Sequence, residues 1–104
     1  MEIIEKSVVN GLPDDHEVEY AGQIDENTFF VIYRPENDHS YSLSNWKVSI
    51  GPVDNLQEVE VIGGMKYGDG GIIVLNTVIG TFFFPPSKRK DRWPLFNSHV
   101  IEVF

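Results

Sequence analysis

The densest group of residues that could ligate a metal or titrate near neutral pH is Asp14-Asp15-His16-Glu17. Carboxylate oxygens suit a hard cation, and imidazole nitrogens suit Zn²⁺. Consecutive residues of a strand point to opposite faces, so only a turn could bring several of these side chains together. Their spacing matches neither an EF-hand loop nor a His-x-x-x-His pair. The cluster therefore indicates a solvated acidic turn, and we predict no metal and no cofactor.

Three histidines, His16, His39 and His99, are the candidates for a general base. The chain has no Gly-x-Ser-x-Gly elbow and no other local spacing that supports a Ser/His/Asp triad. The separation of two catalytic carboxylates is a spatial quantity, so the sequence does not constrain it. Catalysis would require residues that converge only in the fold. We therefore predict no catalytic residue and a protein that is not an enzyme.

The glycine-rich segment 63–71 holds five glycines in nine residues. A phosphate-binding loop requires Gly-Lys-Ser/Thr at the start of a helix, whereas a β-branched run follows this segment. Asp69-Gly70 is instead typical of a two-residue hairpin turn between strands over 65–68 and 71–75. We predict a hairpin here rather than a nucleotide site.

One basic run, Lys88-Arg89-Lys90-Asp91-Arg92, lies just before Trp93. Basic residues beside an aromatic ring can hold single-stranded nucleic acid by charge and stacking, and they can also meet an acidic patch on another protein. The formal net charge of −8 opposes binding to phosphates. The pattern therefore favours a solvated hairpin tip, and we predict no direct binding to nucleic acid.

The acidic residues are concentrated in the first part of the chain. Residues 1–38 carry ten acidic and two basic residues, which alone gives a charge of −8. A field of this sign repels phosphate backbones and anionic lipid, and it speeds encounter with a basic protein. The alternative is that the charge serves solubility, for which a net charge of about 2 to 8 in magnitude is suitable.

Alternating apolar residues and closely spaced turn residues predict an all-β fold. Around Val18 and Tyr20 the alternation places Glu17 and Glu19 on the solvent side. No long helix is indicated. We therefore predict one β domain over 1–104, a β-sandwich or small β-barrel of about seven to eight antiparallel strands. The predicted strands cover 3–9, 18–20, 28–34, 46–50, 65–68, 72–84 as one or two strands bent at Gly80, and 98–104, with a short strand near Tyr41 and Leu43.

Segment 53–62 admits two interpretations. Asp54 could cap a short helix. Against this, Val59 and Val61 alternate with glutamates in the manner of a strand, and we favour the strand.

The runs Phe29-Phe30 and Phe82-Phe83-Phe84 cannot lie entirely in one core, because adjacent rings of a strand face opposite sides. At least one ring of each run is expected near the surface, against a loop or in an interface. Packing in the fold is the favoured interpretation, and an exposed aromatic patch would instead mark a binding site.

The chain has no cysteine, so its stability depends on packing rather than on disulfides or thiolate metal sites. No basic segment followed by an apolar stretch begins the sequence, and no apolar run approaches the ~18 residues that cross a bilayer. We expect a cytoplasmic protein that does not bind membranes.

In size, acidity and lack of a catalytic motif, the chain is similar to bacterial immunity proteins, which neutralise a cognate toxin. We therefore expect an acidic inhibitor that binds a basic partner such as a nuclease toxin, because an acidic face imitates the phosphates that a nuclease binds. The alternatives are a self-associating assembly module of a phage or secretion system, and a barrel that binds a small molecule or acts as an enzyme. The predicted partner-binding residues are Asp14, Asp15, Glu17, Glu19, Asp25, Glu26, Glu36 and Asp38, with Tyr41 or Trp46 as an aromatic anchor.

Overall fold

The computed structural model describes residues 12, 14–38, 41–68, 71–86 and 93–104. Antiparallel strands form two five-stranded sheets, which we call sheet A and sheet B. Sheet A has the order β10-β1-β2-β3-β4, and sheet B has the order β5-β6-β7-β8-β9. The strands are β1 (His16–Asp25), β2 (Thr28–Pro35), β3 (Lys47–Gly51), β4 (Gln57–Val59), β5 (Val61–Tyr67), β6 (Ile72–Thr77), β7 (Gly80–Phe84), β8 (Leu95–Phe96), β9 (His99–Val100) and β10 (Glu102–Val103).

The predicted all-β architecture is confirmed. Neighbouring strands of the sequence pair with one another, and the chain passes from sheet A to sheet B at Glu60 and back again at Ile101. Within the described residues the strands number ten rather than seven or eight, because segment 72–84 divides into two strands and segment 95–103 into three.

The main core lies between the two sheets and is rich in aromatic rings. Phe30 of β2 contacts Phe82 of β7 at a ring-centroid distance of 5.0 Å, and Tyr20 stacks on Phe84 at 4.1 Å. Both Phe82 and Phe84 face inward, whereas Phe83 faces the outer side of sheet B opposite Leu95. The expectation that rings of one run separate between two faces is confirmed.

A smaller apolar cluster covers the outer face of sheet A. Ala21, Val31 and Tyr33 are buried there, and Leu12 and Leu56 pack against them. Phe29 also belongs to this face and contacts Phe104 at 6.4 Å. Loops therefore cover the face of β2 that points away from the other sheet.

A β-bulge at Glu19 changes the predicted alternation of β1. Val18 pairs with Tyr33, but Tyr20 pairs with Ile32, so one extra residue lies between the two register pairs. Val18 and Tyr20 consequently face opposite sides of sheet A, and Tyr20 enters the main core. The prediction that they share a face is wrong, because the bulge inverts the period of two.

The predicted continuous strand over 98–104 is also interrupted. Asn97 and Ser98 have positive φ angles of 50° and 69° and form the two-residue turn between β8 and β9. The Asn97 carboxamide oxygen accepts a hydrogen bond from the N–H of Thr81 at 3.0 Å, which ties this turn to β7. Beyond β9, Ile101 is buried, and the chain joins sheet A as β10.

Other predicted elements have mixed outcomes. The strand favoured within 53–62 is present as β4 and the start of β5. Ser42 forms an isolated bridge with Met65, which corresponds to the short strand expected near Tyr41 and Leu43. β5 and β6 pair as the predicted hairpin, although Asp69-Gly70 itself lies outside the described residues. The same is true of the predicted strand over 3–9, of His39 and of the basic run 88–92.

Candidate functional site

The predicted partner-binding carboxylates lie at the two ends of the hairpin formed by β1 and β2. Asp14, Asp15 and Glu36 are exposed at its open end, where the N–H of Glu36 donates to the carbonyl of Asp15 at 2.7 Å. Asp25 and Glu26 lie at its turn. Because β1 has ten residues, the two groups are roughly 30 Å apart. They therefore form two separate acidic surfaces.

Arg34 pairs with two of the predicted acidic residues, Glu17 and Glu19. Its guanidinium donates from Nε to Glu19 at 2.7 Å and from Nη2 to Glu17. Glu17 is the register partner of Arg34, and Glu19 lies two residues further along β1 at the bulge. The hydrogen bond to Glu19 is the main cause that raises the pKa of Arg34 above its usual value, with further contributions from the charges of Glu17 and Asp38. The glutamates expected to face solvent thus form an ion-pair network.

Replacing Arg34 with Met should leave Glu17, Glu19 and Asp38 close together without their counter-charge. We expect the free energy of unfolding to fall by about 1 to 2 kcal/mol, between the values typical of exposed and buried pairs. Urea unfolding at low and high salt measures this, and the loss should shrink at high salt because like-charge repulsion is screened. Lys66→Met is the control, because it removes a cation from sheet B rather than from sheet A. An Arg34→Met variant as stable as this control would contradict the network.

The two predicted aromatic anchors differ in position. Tyr41 is 62% exposed, whereas Trp46 is 4% exposed and belongs to the main core. Little of the Trp46 side chain is therefore accessible to a partner. Tyr41 is therefore the one of this pair that a partner can reach directly.

A groove of about 470 Å³ lies between the β1–β2 turn and the C-terminal segment. The register pair Gln23↔Glu102 brings β10 beside β1, and the N–H of Ile101 donates to the carbonyl of Pro94 at 3.0 Å. These contacts place an apolar surface next to an acidic one. The apolar lining includes Trp93, Val100 and Ile101, and the acidic lining consists of Asp25, Glu26 and Glu102.

Asp25 carries a fixed negative charge at this groove. Its Oδ1 accepts the N–H of Asn27 at 3.0 Å, which closes the β1–β2 turn. This hydrogen bond, followed by that with the Thr28 side chain, holds the pKa of Asp25 below its usual value of 3.8. The carboxylate is consequently ionised throughout the neutral range.

No family model, curated protein or solved structure matches the chain. The site must therefore be judged by its own geometry. Within the described residues, no three His, Asp or Glu side chains converge as a metal site would require. In the same part of the chain, no helix has the length and apolar character needed to cross a membrane.

Tyr33 forms the centre of a polar contact on the outer face of sheet A. Its hydroxyl lies 3.3 Å from the hydroxyl of Ser49 and donates to Glu58 Oε1 at 3.3 Å. The ring of His16 meets Tyr33 edge-on at 6.1 Å. Burial is the main cause that raises the pKa of Tyr33 above its usual value of 10.0, and burial likewise raises that of Tyr20.

These two tyrosines predict a loss of stability in alkaline solution. The unfolded chain releases their protons near pH 10, whereas the folded chain retains them to higher pH. Their contribution to stability is thus fully present below about pH 10 and is lost as the pH rises through the folded-state pKa values. Urea midpoints between about pH 9 and pH 11 should fall less steeply for Tyr20→Phe/Tyr33→Phe than for the parent protein. Equal slopes in the parent protein and in the double variant would contradict the prediction.

Sequence reasoning selected Asp25 and Glu26 but missed the other half of the groove. Trp93, Val100 and Glu102 are distant from the β1–β2 turn in sequence and meet it only through the pairing of β1 with β10. Trp93 had a local signal, because it stands between a basic run and Pro94 and so has no place in a strand core. Nothing in the sequence indicated that this ring lies near Asp25.

Proposed function

We propose that the protein is a non-catalytic inhibitor that binds a basic partner protein. In its narrower form, the proposal is an immunity protein that neutralises a bacterial nuclease toxin in the cytoplasm. The partner would bring the positive surface with which it normally binds nucleic-acid phosphates. Occupation of that surface by carboxylates would exclude the substrate, and opposite charges would speed association.

The distribution of charge on the described residues is the observation that supports this proposal. These residues include twelve aspartates and glutamates but only three cations, Arg34, Lys47 and Lys66. Arg34 already pairs with Glu17 and Glu19. The exposed carboxylates at both ends of the β1–β2 hairpin are consequently available to an external cation. Two acidic surfaces at opposite ends of one hairpin suit a partner with an extended basic face.

Affinity capture from the lysate of the source organism tests the proposal. The tagged protein is loaded at low salt, eluted with increasing salt, and the eluates are identified by mass spectrometry. We expect a basic protein that leaves the column as the salt concentration rises, because screening weakens contacts between opposite charges. A partner without a basic surface, or no salt-sensitive partner at all, would contradict the proposal.

A charge variant at the open end of the β1–β2 hairpin refines this test. Asp14→Asn/Asp15→Asn/Glu36→Gln removes three exposed charges and leaves the Arg34 network intact. Asn tolerates the positive φ of 66° at position 15, so the backbone is preserved. We expect association with the captured partner to slow by roughly tenfold and its salt dependence to flatten. Asp54→Asn/Glu60→Gln, which removes two charges on the β3–β4 side, should have a smaller effect per charge removed, and equal effects per charge in the two variants would contradict this placement.

Self-association is a second candidate function, favoured by the outer face of sheet B. A row of apolar side chains crosses all five strands of this sheet in register, and Met65 and Val100 at its two ends are exposed. An apolar row of this length is typical of an interaction surface. Sedimentation over a range of concentrations tests it: a closed oligomer that Met65→Lys dissolves would favour assembly, and a monomer would exclude it. The row consists of Met65, Val74, Phe83, Leu95 and Val100.

A further inference from the structure

We propose that the groove between the β1–β2 turn and the C-terminal segment binds an arginine side chain from a basic segment of the partner. This inference rests on the proposed function and assigns one contact within it. The arginine guanidinium would stack on Trp93 and face the carboxylates of Asp25, Glu26 and Glu102. The groove is thereby defined as a site for a flat cation rather than for a small apolar ligand.

The exposed aromatic ring is the first argument. Trp93 is 63% exposed and Val100 is 61% exposed, although both line the same groove. Large apolar side chains exposed together are typical of binding surfaces. A Trp ring attracts a cation placed over its face, and arginine occupies such positions more often than lysine. The chemistry of the ring therefore matches a guanidinium.

The charges around the groove are the second argument. Among the described residues that line it, three carry carboxylates and none is a cation. An apolar ligand would bury these carboxylates without a partner, which is costly. A guanidinium can instead donate several hydrogen bonds from a rigid planar fork, and it loses less hydration than an ammonium group does. Charge complementarity thus selects a basic segment over an apolar one.

The fold holds both halves of the groove in place before any ligand binds. Asp25 is fixed by its hydrogen bond with Asn27, and Glu102 is fixed by the pairing of β10 with β1. Ile101 is buried beneath them as part of the main core. A site on such paired strands requires little ordering on binding, which favours affinity.

Titration with oligo-arginine and oligo-lysine peptides of equal length tests the proposal. Acrylamide quenching of tryptophan fluorescence reports the site, because Trp93 is exposed and Trp46 is buried. We expect the arginine peptide to protect Trp93 from quenching and to bind about three- to tenfold more tightly than the lysine peptide. Trp93→Ala lacks the fluorescent reporter, so its binding is measured by isothermal titration calorimetry, and this variant should show no preference between the two peptides. Glu26→Gln/Glu102→Gln should weaken binding of both peptides.

Matched controls separate the groove from general charge effects. Tyr41→Ala removes an equally exposed aromatic ring elsewhere, and Asp54→Asn/Glu60→Gln removes the same charge elsewhere. If the groove variants weaken salt-sensitive binding no more than these controls do, the groove is not the arginine site. The proposed function would still stand in that case. If neither basic peptide binds, the result would count against both the groove site and the proposed function. Self-association abolished by Trp93→Ala would overturn the proposal in favour of a second copy as occupant.

Discussion

Phe82→Ala should lower the free energy of unfolding by about 3 to 5 kcal/mol, the range typical of a buried Phe reduced to Ala. The ring is 0% exposed and contacts three other phenylalanine rings, Phe30, Phe84 and Phe96, at centroid distances of 5.0, 5.9 and 4.7 Å. Its loss would leave a cavity between the two sheets that these rings cannot fill without moving. Urea unfolding followed by the fluorescence of buried Trp46 measures the change.

Phe83→Ala is the matched control, because the two rings are adjacent in sequence and face opposite sides of sheet B. Phe83 is partly exposed and pairs with Val74 and Leu95 on the outer face. We expect the free energy of unfolding to fall by about 1 to 2 kcal/mol, since folding removes only part of the Phe83 ring from water. If Phe83→Ala were as destabilising as Phe82→Ala, the assignment of the two faces would be wrong.

Gly22→Ala should have the second largest effect, and it should act mainly on β10. A Cβ atom at position 22 would collide with the backbone oxygen of Glu102 and lie 2.7 Å from the ring of Phe30. Backbone atoms cannot yield as a flexible side chain can. We expect the free energy of unfolding to fall by about 3 kcal/mol, which is at the upper end of the range for overpacked cores. β10 should also separate from β1, which would disrupt the groove formed with Glu102.

Hydrogen exchange distinguishes this local effect from general destabilisation. The N–H of Phe104 donates to the carbonyl of Ala21 at 2.8 Å, so its protection reports the contact of the chain end with β1. We expect protection of this amide to fall more than that of the β6 amides in Gly22→Ala. Gly63→Ala, where no heavy atom lies within 4 Å of the added Cβ, should change stability by less than about 0.5 kcal/mol. An equally mild Gly22→Ala would contradict the close approach of β10.

The all-β fold could be predicted because its evidence is local. The apolar run of β2, the alternation of β3 and the separated rings of Phe82 and Phe83 each follow from the period of two within one strand. The hairpin of β5 and β6 was indicated by glycine and aspartate between two apolar runs. Such features require no knowledge of the partner strand.

The errors arose where the fold depends on pairing between distant segments. The bulge at Glu19 exists only relative to the register of β2, so alternation in β1 alone assigned Val18 and Tyr20 to one face. The crossing at Ile101 likewise depends on which sheet each half of the C-terminal segment joins. An alternating sequence indicates an apolar face but not the sheet to which that face belongs.

The candidate site follows the same division. Acidic character near the β1–β2 hairpin could be predicted from composition, and Asp25 and Glu26 were selected on that ground. The pairing of Glu17 and Glu19 with Arg34 could not be predicted, because it depends on the register of β1 against β2. Trp93 and Glu102 join the site only through the return of the chain to β1. Trp46 alternates with Val48 and Ile50, which indicates the core position that the structure gives it.

The activity of the captured basic partner, measured with and without this protein, tests the central claim most directly. The purified partner is assayed for cleavage of nucleic acid while the protein is added in increasing amounts. We predict that cleavage falls in proportion and ceases at an equimolar ratio, because the carboxylates occupy the phosphate-binding surface. A partner that cleaves at its full rate within the complex, or a captured partner with no nuclease activity, would contradict inhibition of a nuclease toxin.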